Sequence, residues 1–251
     1  MLEVNKLHKS YHNANATYEV LKDISLEVKK GEFVAVMGPS GSGKTTLLNC
    51  ISCFIPFEQG EILLNGENIA GLSEEQLAEV RNEKLGFVFQ DYMLLDGLSV
   101  FENICLPQII GDKEVDIMES RAKKLCDTFG ISHIMNKYPA EISGGEKQRT
   151  AVARALINDP YVILADEPTG NLDSKSSRAV IDSFTQAKKE LSATVFMVTH
   201  DSFAASFCDR VIVLRDGKVY TELTRSGTRI EFMDKLLDTL KVLGGDNNDN
   251  E

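Results

Sequence analysis

The sequence has no tryptophan, only six prolines, and no apolar run near the roughly 20 residues that cross a bilayer. Its longest apolar runs, such as Val211-Ile212-Val213-Leu214, are strand-length, so no segment reads as a membrane span. Basic residues are in deficit: 27 Lys and Arg against 38 Asp and Glu give a formal net charge of -11. Phosphate contacts along a nucleic acid need a basic face, so no nucleic-acid partner is expected. A nucleotide is not excluded, because a local nest of backbone N–H groups can outweigh a global negative field. The five cysteines are odd in number and no secretion signal is present, which points to a reducing cytosol. Cys50 and Cys53 form a lone C-x-x-C with no second pair and no nearby His pair, so they read as small buried apolar residues.

What is present is ordinary globular material. Apolar residues make up 43% and charged residues 26% of 251, enough for one α/β domain or two small ones. Leu2, Val4 and residues 20–28 (VLKDISLEV) alternate as half-buried strands do. Residues 33–37, 161–165 and 194–198 are short apolar runs of the kind buried in a parallel sheet. Helical stretches separate them, so a mainly parallel sheet flanked by helices is expected. Asn65-Gly66 and Asp216-Gly217 are tight-hairpin signals. Between residues 91 and 160 strand signals are sparse, and residues 119–129 carry helix formers, which predicts a helical subdomain inserted into the sheet domain. Phe232, Leu236 and Leu240, with Met233 and Leu237, fall on one stripe of a terminal amphipathic helix. The polar residues 246–251 read as a disordered tail.

Gly38-Pro39-Ser40-Gly41-Ser42-Gly43-Lys44-Thr45 fits G-x-x-x-x-G-K-[ST] in full, after a buried strand and before a helix-compatible stretch that starts at Thr46. Glycines let the backbone wrap a phosphate with N–H groups, and the helix N-terminus adds partial positive charge at the same point. Lys44 should reach the β- and γ-phosphates of ATP, and Thr45 should ligate Mg²⁺. A dinucleotide loop would need glycine where Thr46 stands. Asp166 and Glu167 close the apolar run Val162-Ile163-Leu164-Ala165. Two acids at a buried strand end are costly without a positive partner, and Mg²⁺ is the natural one. Asp166 would hold the metal, and Glu167 would orient and deprotonate the attacking water.

A phosphate loop alone names only an NTP-binding fold. Ile142-Ser143-Gly144-Gly145-Glu146-Lys147-Gln148-Arg149 closely resembles the signature of ABC ATPases, usually written LSGGQ. A Ser-Gly-Gly helix start is itself an anion site, with a hydroxyl and free N–H groups. The other family elements stand in order. Tyr11 matches the aromatic that stacks on adenine, and Gln90 the glutamine that touches Mg²⁺ and links to the permease. Asn171-Leu172-Asp173 matches the D-loop, and His200 the switch histidine on the γ-phosphate. A lone Tyr, Gln or His is more often structural; their joint order carries the weight.

The resemblance implies an ABC cassette over residues 1–225, with an N-terminal antiparallel β-subdomain, the helical subdomain at 91–160, and a terminal helix and tail at 226–251. It implies a head-to-tail pair, of two copies or of one copy plus a related partner, each ATP lying between the phosphate loop of one and Ser143, Gly144, Gly145 and Glu146 of the other. It implies an ATPase that drives a separate integral-membrane permease from the cytoplasmic face. Gly43 and Ser143 are about 100 residues apart, which leaves no room for the long coiled-coil insert of repair and chromosome members. Translation-factor members carry two cassettes, and this chain has one. Residues 31–44 (GEFVAVMGPSGSGK) and 165–174 (ADEPTGNLDS) look like the branch of macrolide-export and lipoprotein-release ATPases. Residues 89–96 (FQDYMLLD) and the ending Leu243-Gly244-Gly245 look more like bacitracin-type subunits of Gram-positive bacteria, whose permeases often signal to a sensor histidine kinase. Met93, Leu94, Leu95 and Leu98 are either the permease-facing groove or core of the helical subdomain.

Overall fold

The computed structural model describes residues 1–13, 16–170 and 172–245. Two long strands open the chain, β1 (Leu2–Asn13) and β2 (Ala16–Val28), paired antiparallel from Leu2 opposite Val28 to Asn13 opposite Ala16. Sequence patterning predicts only the inner part of this hairpin. Residues 11–13 and 16–19 are exposed, so no buried face imposes alternation on them, yet the backbone ladder continues. Strand β3 (Phe33–Met37) and helix α1 (Lys44–Ile51) follow. Strand β4 (Gln59–Leu64) pairs with β1, and the short β5 (Glu67–Asn68) folds back on β4. Their turn holds Asn65 and Gly66 at φ 52° and 86°, the left-handed pair that Asn-Gly favours. These strands form an antiparallel sheet in the order β2-β1-β4-β5.

The rest alternates. Helix α2 (Glu74–Glu79) leads to β6 (Leu85–Phe89). Three helices, α3 (Val100–Ile110), α4 (Val115–Thr128) and α5 (Gly144–Leu156), precede β7 (Val162–Asp166) and occupy the stretch 91–160. Then come α6 (Ser174–Leu191), β8 (Val195–Val198), α7 (Ser202–Ala205), β9 (Arg210–Arg215), β10 (Lys218–Thr224) and α8 (Arg229–Gly245). The second sheet runs β10-β9-β3-β8-β7-β6, all pairs parallel except β10 on β9.

The apolar character of β3 follows from its place. Phe33, Ala35 and Met37 enter a core shared with α5, α6 and α8, while Val34 and Val36 enter a second core with the antiparallel sheet and α1. Both faces are covered, so every residue is apolar. Phe232 and Leu236 of α8 are buried, but Leu237 is 36% exposed and off the packed stripe. All five cysteines are free and buried, and burial pushes the Cys50 thiol up to about 12 and that of Cys53 to about 11. Among the described residues no helix is long and apolar enough to cross a membrane. The expected tail at 246–251 and Asn171 of the D-loop lie outside the described residues.

Candidate functional site

Three neighbouring parallel strands deliver the phosphate loop and the two residues that face it. Strand β8 lies between β3 and β7. The Thr199 N–H donates to the Val36 carbonyl (3.1 Å), and the Glu167 N–H donates to the Val198 carbonyl (2.9 Å). The loops after all three strands are thereby drawn to one carboxyl edge, where open α/β sheets bind ligands.

The loop after β3 is shaped by glycine. Gly38, Gly41 and Gly43 all have positive φ, at 150°, 79° and 100°. A Cβ on Gly38 would lie 2.2 Å from the Leu214 carbonyl oxygen, so only glycine fits. Gly43 is the N-cap of α1 and supplies no side-chain cap, which leaves the first N–H groups of the helix for a ligand. Lys44 Nζ donates to the carbonyls of Gly38 (2.9 Å) and Pro39 (3.0 Å), across the mouth of the loop. The Ser42 hydroxyl is buried and has no hydrogen-bond partner.

Around this loop is a cavity of about 550 Å³, lined by Gly38, Ser40, Gly41, Gly43, Lys44, Thr45 and Thr46, and by Glu167 and His200. Glu167 sits at φ 44°, a strained backbone for a non-glycine residue and common at functional positions. Its Oε2 lies 2.9 Å from His200 Nδ1 and accepts the His200 backbone N–H at 3.3 Å. Burial raises the pKa of Asp166, the Glu167 charge raises it further, and Lys44 opposes both. Burial lowers that of Lys44, against the pull of Glu167 and Asp166. The three groups therefore form one electrostatic unit beside the cradle. The Gln90 amide nitrogen lies 3.0 Å from where a Cβ on Gly170 would stand, so Gln90 packs on the loop that follows Glu167.

Other expected residues lie elsewhere. Ser143 caps α5: its hydroxyl accepts the Glu146 N–H, while Glu146 Oε2 accepts the Ser143 N–H (2.8 Å) and hydroxyl (2.7 Å). Those bonds hold the Glu146 carboxyl below its ordinary range. None of Ser143, Gly144, Gly145 or Glu146 lines the phosphate-loop cavity. Tyr11 is 43% exposed and paired across the hairpin with Tyr18, and Tyr18 and Val20 are the β2 residues that line the cavity. Sequence reading passed over Tyr18; its signal was a second aromatic placed opposite Tyr11, visible only once the hairpin register is known.

The glycine cradle, the uncapped helix start and Lys44 suit the phosphate oxygens of a nucleotide. Among the described residues no group of three or more His, Cys, Asp or Glu is assembled to hold a metal. Thr45 lines the cavity, whereas Gln90 and Asp166 are not among its lining residues; a hydroxyl, an amide and a carboxylate are oxygen donors of the kind Mg²⁺ takes.

A parallel sheet with a phosphate loop at its carboxyl edge, an acid pair on the next-but-one strand and a Ser-Gly-Gly helix start defines a P-loop ATPase of the cassette type. The chain belongs to the ABC transporter family, whose model, described as ABC transporter, matches residues 21–170. It is the ATP-binding, ATP-hydrolysing subunit. It is 47% identical over 250 residues to the bacitracin export ATP-binding protein BceA of Halalkalibacterium halodurans, covering 99% of each chain. It is 42% identical over 217 residues to the lipoprotein-releasing system ATP-binding protein LolD of Shewanella oneidensis, covering 86% of this chain and 94% of that one. Among solved structures, the dimeric post-hydrolysis state of the ATP-binding cassette MJ0796 bound to ADP and Pi matches with a TM-score of 0.78 at 37% identity, over 91% of this chain and all of that one.

Proposed function

We propose that two copies of this chain clasp two ATP molecules head to tail and drive a membrane permease that protects the cell from peptide antibiotics acting on the wall. The separation of the two anion sites within one chain supports the pairing: the phosphate loop, Glu167 and His200 share a cavity, and the Ser143 helix start is not part of it. A second copy supplies the missing wall. In that arrangement the loop N–H groups and Lys44 hold the phosphates. Thr45, Gln90 and Asp166 would hold Mg²⁺, which would supply positive charge against the phosphates. Glu167 takes the proton of the attacking water. His200, bonded to Glu167, fixes that carboxylate and faces the γ-phosphate. Tyr11 and Tyr18 form the aromatic flank for the base.

The permease would enter beside a cavity of about 320 Å³ between β6, α3 and α5, lined by Phe87, Phe89, Met93, Leu106, Pro107 and Ile110 among others. Met93 lines it and is 59% exposed, whereas Leu94, Leu95 and Leu98 are not among its lining residues. The peptide-antibiotic branch is carried by the full-length likeness to the bacitracin exporter. The lower and shorter likeness to the lipoprotein-release ATPase makes that the weaker alternative.

The branch is tested in the native host by exchanging the chromosomal copy for Glu167→Gln. Sensitivity to bacitracin and lantibiotics should rise, with wall-unrelated antibiotics unaffected. Unchanged sensitivity to every wall-directed peptide, with ATPase activity abolished, rejects the branch while leaving the assignment as an ATPase standing.

A further inference from the structure

The segment after Gln90 bends through two strained residues, and one side chain from helix α5 reaches across to bind both of their carbonyls. Tyr92 and Met93 both have left-handed backbones, φ 62° and 49°. Such conformations are strained for L-residues and persist only where surroundings enforce them. Arg154, near the end of the signature helix α5, supplies the enforcement. Its NH1 donates to the Met93 carbonyl (2.5 Å) and its NH2 to the Tyr92 carbonyl (2.7 Å). A guanidinium fork on two successive carbonyls fixes direction as well as distance, which a lysine cannot do. Burial lowers the Arg154 pKa to about 10, so the group stays charged at neutral pH.

The held segment touches three places at once. Gln90 packs on Gly170, in the loop that follows Glu167. The Tyr92 hydroxyl reaches the start of α5, where a Cβ on Gly144 would lie 3.2 Å from it. Met93 lines the 320 Å³ cavity, together with Arg154 itself. Further along, the buried Asn103 binds Leu95, Leu98 and Ser99, so the far end of the segment has its own anchor. On residues 92 and 93 the Arg154 fork takes the two carbonyls, while their N–H groups donate within the turn, Tyr92 to the Phe89 carbonyl (3.1 Å) and Met93 to the Asp91 carbonyl (2.6 Å).

We infer that Arg154 is a positioning residue that holds Tyr92 against the signature turn, so that the turn is preset to close on the partner copy's nucleotide. This rests on the paired-site reading above. Without the fork, residues 92 and 93 relax to ordinary backbone, the Tyr92 hydroxyl leaves Gly144, and closure must order both again.

The test uses full-length protein in the Glu167→Gln background, with Mg²⁺ and ATP. Three quantities are read: dimer formation by light scattering against ATP concentration, ATP affinity of the dilute monomer, and amide hydrogen exchange. Arg154→Met should weaken ATP-driven dimerisation roughly tenfold, the scale of mutations along a coupling network. Monomer affinity should stay within about twofold, because the phosphate loop is untouched. Exchange should speed up at residues 91–94 and not at residues 38–46. Arg154→Lys should fall between, and it decides the matter if Arg154→Met fails to fold. Dimerisation equal to the parent, or equal losses in monomer affinity and dimerisation, overturns the proposal. A Glu167→Gln parent that never dimerises removes the paired-site reading and this proposal together.

Discussion

Gly38→Ala tests whether the shape of the phosphate loop is set by backbone sterics. The added methyl would stand 2.2 Å from the Leu214 carbonyl oxygen and 2.7 Å from Ser42 Oγ, well inside ordinary contact at 3.4–4 Å. Leu214 lies on β9, paired between β10 and β3, and its backbone carbonyl cannot yield as a flexible side chain does. Overpacking of this kind costs about 1–3 kcal/mol. The positive φ adds about 1–2 kcal/mol. Together these remove about 2–5 kcal/mol from a domain whose stability is of order 5–15 kcal/mol. For a chain of this size the thermal midpoint should fall by about 4–20 °C. The loop must move to fit the methyl, so ATP affinity should fall at least tenfold, or about 1.4 kcal/mol. Gly41→Ala is the control: its φ is 79°, yet nothing lies within 4 Å of the new methyl. It should lose only the backbone part, about 1–2 kcal/mol. The assays are calorimetric melting and titration with a fluorescent ATP analogue. Equal midpoints for the two variants, or parental ATP affinity in Gly38→Ala, would refute the steric account.

Further outcomes are expected. Glu167→Gln should slow hydrolysis by about 10²–10⁴-fold while ATP still binds, the range for loss of a general base; near-normal phosphate release would strip Glu167 of that role. Lys44→Ala should weaken ATP binding, because it removes a cation reaching across the loop mouth; an unchanged dissociation constant would contradict this. Glu146→Gln probes the α5 cap. The Ser143 bonds depress the folded-state pKa of Glu146 below its ordinary 4.5, so its contribution is full above that pH and fades as pH falls through the lower folded value. The melting difference between the native chain and Glu146→Gln should therefore shrink below pH 4.5, and a pH-independent difference would count against the capping role.

The chemistry of the site was more legible in the sequence than its surroundings. The loop from Gly38 to Thr45 is local: strand, glycines and helix follow one another, so spacing alone gives its geometry. The hairpins at Asn65-Gly66 and Asp216-Gly217 are local too, and both appear with positive φ at the two turn residues. Longer-range features were hidden. The outer half of the first hairpin carries no alternation because nothing covers it, and with it Tyr18 was missed as a cavity residue. Arg154 gave no signal because its partners are backbone carbonyls about 60 residues away, and carbonyls have no sequence pattern. Periodicity places Leu237 on the packed stripe of α8, but the stripe that touches the core is narrower.

In the proposed pair, each nucleotide is shared between the phosphate loop of one copy and the Ser143–Gly145 turn of the other. Two disabled variants test it by complementation. Lys44→Ala damages one wall, and Gly144→Trp damages the other while leaving the phosphate loop of its own chain untouched. Each alone should release almost no phosphate from ATP. In a mixture, half-and-half pairs contain one composite site with both walls native, so phosphate release should return. A mixture as inactive as either parent, with both variants folded and mixed pairs demonstrated, would contradict the account.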